Sequence, residues 1–112
     1  MHFLINFAIF VLYLVFSNHI SRIQMRYFIH FAYKGTPFHG WQKQNNAITV
    51  QEVLDEKLSI ILTEKIETLG CGRTDTGVHA RAYVAHADVM EVALTDKLIY
   101  QINAVLPVDI AI

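Results

Sequence analysis

The chain has 112 residues, 54% of them hydrophobic and 17% charged, with a formal net charge of −1. That length suits one small domain with its own core, the composition excludes disorder, and any nucleic-acid partner must be met by a local basic patch. Cys71 is the only cysteine, which excludes an internal disulfide and a multi-cysteine zinc site and fits a reducing, cytoplasmic compartment.

Residues 3–16 are almost unbroken apolar, interrupted only by Asn6, and Arg22 is the only Lys or Arg in the first 24 positions. The run is shorter than the roughly 20 residues of a membrane helix. It also lacks the basic start and clear small-residue cleavage site of a signal peptide. Three interpretations stay open: a membrane or targeting segment, an extra packed helix, or sequence upstream of a start at Met25, which is preferred. Membrane contact is expected only if residues 3–16 are a genuine segment of the first kind.

Residues 27–33 predict a strand. Tyr27, Ile29, Phe31 and Tyr33 fall on one face, and Phe28, His30 and Ala32 on the other. Both faces are largely apolar, so a strand covered on both sides is expected, with His30 a satisfied buried or half-buried histidine. Residues 34–47 predict a loop, broken by Gly35, Pro37, Gly40 and the Asn45-Asn46 pair. Phe38, His39 and Trp41 are interleaved there with Lys34 and Lys43. Such a mixture can stack bases and hold phosphates, or its aromatics can fold back as a lid on the core.

Residues 49–63 predict an amphipathic helix. Val50, Val53, Leu54, Leu58, Ile61 and Leu62 recur at helical spacing, and Thr49 with Glu52 forms a capping box. Gln51, Glu52, Asp55, Glu56 and Lys57 are expected on its wet face. Strands follow at 65–69 and 82–89, then a helix at 95–106 with Thr95 as N-cap and Pro107 as its stop, then the start of a strand at 108–112. The order βαββαβ predicts an α+β, ferredoxin-like antiparallel sheet with two helices on one face.

Between the second and third strands lies the most polar, glycine-dense stretch of the chain, Gly70-Cys71-Gly72-Arg73-Thr74-Asp75-Thr76-Gly77-Val78-His79-Ala80-Arg81. Its glycines permit close backbone approach and positive φ. Two arginines and an aspartate on a loop held by strands make a candidate site; a decorated hairpin turn is the plainer alternative.

Residues 72–80 of that stretch resemble the signature of the TruA-type tRNA pseudouridine synthases. The resemblance takes in Tyr33-Lys34-Gly35-Thr36, His39-Gly40-Trp41-Gln42, Thr49-Val50-Gln51-Glu52, Asn103-Ala104-Val105-Leu106-Pro107 and Asp109-Ile110. It begins near Met25 and covers only the N-terminal part of such an enzyme. It implies half of a duplicated pseudouridine synthase fold, acting on uridines 38–40 in the anticodon arm of tRNA, with no cofactor, no metal and a homodimeric whole. Asp75 matches the family's catalytic aspartate and Arg73 its base-flipping arginine. Arg81, Trp41, Lys34 and Lys43 are expected to contact RNA, and Thr74, Gly77 and His79 to support the loop. Arg73 or Arg81 is expected to favour the ionised carboxylate of Asp75. The family's base-stacking tyrosine has no matching position here, so an inactive fragment is one expectation for this chain.

Two rival readings compete with this one. Asp75-Thr76-Gly77 is the triplet of a dimeric aspartic protease, but its neighbours Gly72-Arg73-Thr74 and Val78-His79 do not suit one. The same βαββαβ order also serves non-catalytic RNA-binding modules, whose aromatic signature is not evident in residues 82–89.

Overall fold

Alternation along two long strands builds the centre of the sheet. A computed structural model of the chain describes residues 24–90 and 95–112, and the expectations for the apolar leader lie outside them. Strand β1 (Gln24–Tyr33) pairs antiparallel with β3 (Ala80–Met90), from Gln24 opposite Met90 to Phe31 opposite Tyr83. The register then shifts between Phe31 and Tyr33, bringing Tyr33 opposite Ala80. Two short edge strands complete the sheet. They are β2 (Leu69–Gly70) beside β3 and β4 (Ile110–Ala111) beside β1, in the order β2-β3-β1-β4. Helices α1 (Val50–Leu62) and α2 (Asp96–Val105) complete the ferredoxin-like βαββαβ fold that the element order predicted.

The inner face of β1 and β3 meets the helices. Phe31, Tyr33, Leu54, Leu58, Tyr83, Ala85, Val89 and Ile102 are buried together there. Thr49 caps α1 as predicted, its hydroxyl accepting from the Glu52 N–H at 3.4 Å. Thr95 caps α2 in the same way through Leu98 at 3.1 Å. On α2, Ile102 is buried, whereas Ile99 and Val105 are exposed.

The outer face differs from expectation. Phe28 is 63% exposed and His30 is also exposed, so among the described residues β1 is covered on one face only. Phe28 makes an edge contact with His86, and Arg26 forks onto the Asp88 carboxylate at 2.9 and 3.2 Å.

The second strand also differs. Residues 65–69 were expected to be extended and paired, yet only Leu69 and Gly70 join the sheet. The preceding backbone is held by side chains of α1 instead. Ser59 Oγ accepts from the Ile66 N–H, Asp55 accepts from the Thr68 N–H and hydroxyl, and Gln51 donates to the Thr68 carbonyl. Asp55 is therefore buried under this strap and not on the wet face. Its second oxygen makes no directed hydrogen bond but lies 3.1 Å from Lys43 Nζ, whose charge compensates it. Among the described residues no helix is long and apolar enough to cross a membrane.

Candidate active-site loop

The polar stretch becomes a loop leading from β2 to β3 at one end of the sheet. Its entry continues the ladder, with the Cys71 N–H donating to the Val84 carbonyl at 2.9 Å. Gly72 meets the Tyr83 hydroxyl, which accepts from its N–H at 3.3 Å and donates to its carbonyl. Thr74 Oγ1 lies 2.8 Å from the Tyr33 hydroxyl. The Val78 N–H closes a turn onto the Asp75 carbonyl at 3.2 Å, with Gly77 at φ 79°.

The 34–47 loop clamps this one from the side. The Gly77 N–H donates to the Phe38 carbonyl at 3.1 Å, and the Gly35 N–H donates to His79 Nδ1 at 2.9 Å. His79 thus holds the loop through a ring nitrogen that must be unprotonated. A Cβ at Gly35 would fall on the Val78 carbonyl, and one at Gly40, where φ is +80°, on the Thr74 carbonyl. These backbones touch because both positions lack a side chain.

Asp75, Arg73, Arg81 and His79 are exposed on this frame, as is Lys34 next to it. The ion pairs among the described residues are Arg26–Asp88, Lys43–Asp55 and Lys65–Glu67. No ion pair joins Arg73 or Arg81 to Asp75, so the expected guanidinium partner is not seated on that carboxylate. Tyr33, Lys34, His79, Arg81 and Asp109 line a groove of about 400 Å³ at the foot of the loop.

Two residues expected to contact RNA lie elsewhere. Trp41 is 3% exposed, with its ring 5.6 Å from Phe31 and 4.7 Å from Tyr83. It is the lid of the core, and a base cannot stack on it in this arrangement. Lys43 remains half exposed, but its ammonium is committed to Asp55. The Tyr33 and Tyr83 hydroxyls beneath the loop are not among the expected site residues, and nothing local in the sequence marks what they reach. Among the described residues no cluster of three or more His, Cys, Asp or Glu could hold a metal ion.

No family model matches the sequence. Individual proteins do. The chain is 47% identical over 87 residues to the tRNA pseudouridine synthase A of Azobacteroides pseudotrichonymphae genomovar. CFP2, a match covering 78% of this chain and 35% of that protein. It is 48% identical over 87 residues to the protein of the same name from Bacteroides thetaiotaomicron, covering 78% and 32%. With that of Ruminiclostridium cellulolyticum it is 51% identical over 80 residues, covering 71% and 33%. The chain belongs to the TruA-type tRNA pseudouridine synthase family. It spans about a third of the length of these curated relatives. Within this TruA-type chain the family signature occupies the clamped loop, with Asp75 at the turn that the Val78 N–H closes.

Proposed function

We propose that this chain supplies the nucleophile-bearing part of a tRNA pseudouridine synthase, with Asp75 as the catalytic carboxylate. The observation that carries the proposal is the state of Asp75. It is solvent-exposed on a loop fixed from two sides, and no protein group among the described residues engages its carboxylate. Its carboxylate is therefore free to meet a substrate and is not engaged in holding the loop together.

The chemistry asked of it is modest. The N1–C1′ bond of uridine breaks, the base turns, a C5–C1′ bond forms, and the C5 proton leaves while N1 gains one. The exchange is internal to one nucleotide and redox-neutral, so it draws on no co-reactant. Asp75 either attacks the nucleotide or takes the C5 proton. The target base must leave its stack to reach the loop. Arg73, two residues away and in no ion pair among the described residues, would fill the gap and bind phosphate with its planar guanidinium. Arg81 and Lys34 line the groove at the foot of the loop and would hold the backbone. Trp41 and Lys43 are not part of this surface, and His79 supports the loop. The anticodon arm as target and a homodimeric whole belong to the same proposal and rest on the resemblance of residues 72–80 to the family signature, the names of the relatives speaking for tRNA alone.

The test is tritium release from tRNA carrying [5-³H]uridine. Release with the parent and none with Asp75→Asn, with tRNA affinity kept, is the expected result. Equal release from both would remove Asp75 from the mechanism. A second proposal, a non-catalytic RNA-binding module, draws on the bare outer face. There Phe28 meets His86 beside exposed His30, an aromatic surface on the two central strands. It predicts that Phe28→Ala weakens RNA binding while Asp75→Asn changes nothing.

A further inference from the structure

We propose that Tyr33 and Tyr83 are a pair of positioning residues, whose hydroxyls prop the Asp75 loop from below at Thr74 and Gly72. Both rings belong to the core. Each is at most 5% exposed, and their centroids are 5.7 Å apart in an edge contact. Phe31 and Trp41 complete the aromatic cluster around Tyr83, at 5.4 and 4.7 Å. Packing alone would be served as well by phenylalanine. A phenol buried this far carries a desolvation cost unless its hydroxyl is partnered.

Both hydroxyls turn to the same loop. Tyr83 uses its donor and an acceptor site on one residue, the backbone of Gly72. Tyr33 meets the side chain of Thr74. The two contacts bracket Arg73 and stop one residue short of Asp75. Between the Cys71 anchor and the Gly77 anchor, the only other hydrogen bond among the described residues is the Val78-to-Asp75 turn. Without the phenols, the segment that presents both functional side chains would be held only by its ends, that turn and the packing of Gly40 against Thr74.

Two further features fit this role. Gly70 is compressed beneath the same group: a Cβ there would meet the Tyr83 hydroxyl and the Trp41 indole nitrogen. The absent side chain lets the two polar ring atoms converge under the loop. Burial also pushes the Tyr83 phenol up to about 12, so it keeps its proton, and its donor role, throughout the neutral range. Phenol rings with two torsions, locked by packing, are stiffer supports than a longer polar side chain. The effect on catalysis rests on the proposed chemistry of Asp75, whereas the ordering of the loop does not.

Amide hydrogen exchange, read by NMR on the 112-residue chain, tests the proposal. The variants are Tyr33→Phe, Tyr83→Phe and the double change, with exposed Tyr100→Phe as control. Tyr33→Phe is the critical arm, because its hydroxyl touches no amide directly. The expected result is exchange at Gly72, Gly77 and Val78 faster by about tenfold, the scale of one lost hydrogen bond. The β1–β3 ladder amides should keep their rates. Unchanged loop exchange, or equal acceleration in the ladder, would overturn it. In the tritium-release assay the variants should lower kcat by about tenfold with KM within about threefold, the pattern of misplacement without lost binding. A parent with no release counts against the pseudouridine synthase proposal and leaves the exchange result standing.

Discussion

Asp75 and its clamp divide the work of the site between an acid that is unencumbered and glycines that are not. Asp75→Asn should abolish tritium release and leave stability within about 0.5 kcal/mol, because the side chain has no partner among the described residues to lose; urea unfolding and the release assay together check this. Gly40→Ala should behave in the opposite way. Its Cβ meets the Thr74 carbonyl at a backbone conformation that already disfavours alanine, so a destabilisation of about 1–3 kcal/mol is expected by the same measurement. At this scale the sequence was partly legible. Asp75, Arg73 and Arg81 stood out because charged residues crowd a glycine-rich stretch between two strands. Trp41 was ambiguous, since an aromatic ring in a loop can stack a base or cover a core, and only the position of Phe31 and Tyr83 decides. Asp55 was misplaced because helical periodicity says nothing about a later segment folding over the same face.

Among the elements, α1 is the one whose ends are best specified. Thr49 is fully buried as well as capping, so Thr49→Ala removes a cap and opens a small void. A loss of about 1 kcal/mol or more is expected in thermal unfolding, larger than for Thr95→Ala at the exposed cap of α2. The β1–β3 pair carries a pH signature. The Arg26 guanidinium, hydrogen-bonded to Asp88, holds that carboxyl below the usual carboxylate range. The folded-state value is depressed, so the pair's contribution is present above the ordinary range and disappears as pH falls through the lowered value. Urea midpoints of parent and Arg26→Gln should therefore differ at neutral pH and converge in acid. The gap should be small and shrink with salt, because both groups are at the surface. Long strands and capped helices were readable from periodicity and cap residues. The shortness of β2 was not, because the backbone donors of Ile66 and Thr68 just before it are taken by Ser59 and Asp55 on a helix that ends before the strand begins.

For the molecule as a whole, a net charge of −1 places the burden of RNA contact on a few cations. Lys34, Arg73 and Arg81 are exposed with no ion pair among the described residues, while Lys43 is neutralised by Asp55. Removing each of the first three should weaken tRNA binding and lower the slope of log affinity against log salt by about 1. Lys43→Gln should change that slope less, which filter-binding titrations between low and moderate salt will read. The βαββαβ order followed from the sequence at this scale, but the bare outer face did not: Phe28, His30 and Ala32 read as a second buried side, whereas Phe28 and His30 are exposed among the described residues.

The contacts at Gly35 and Gly40 are made to carbonyl oxygens, not to side chains. A collision with a side chain can be relieved by trimming that side chain, but a collision with the main chain offers no such remedy. Suppressor screens begun from alanine at either position should therefore return reversion to glycine and no compensating exchange in the facing segment. Over evolutionary time the two segments can drift only as one inherited unit.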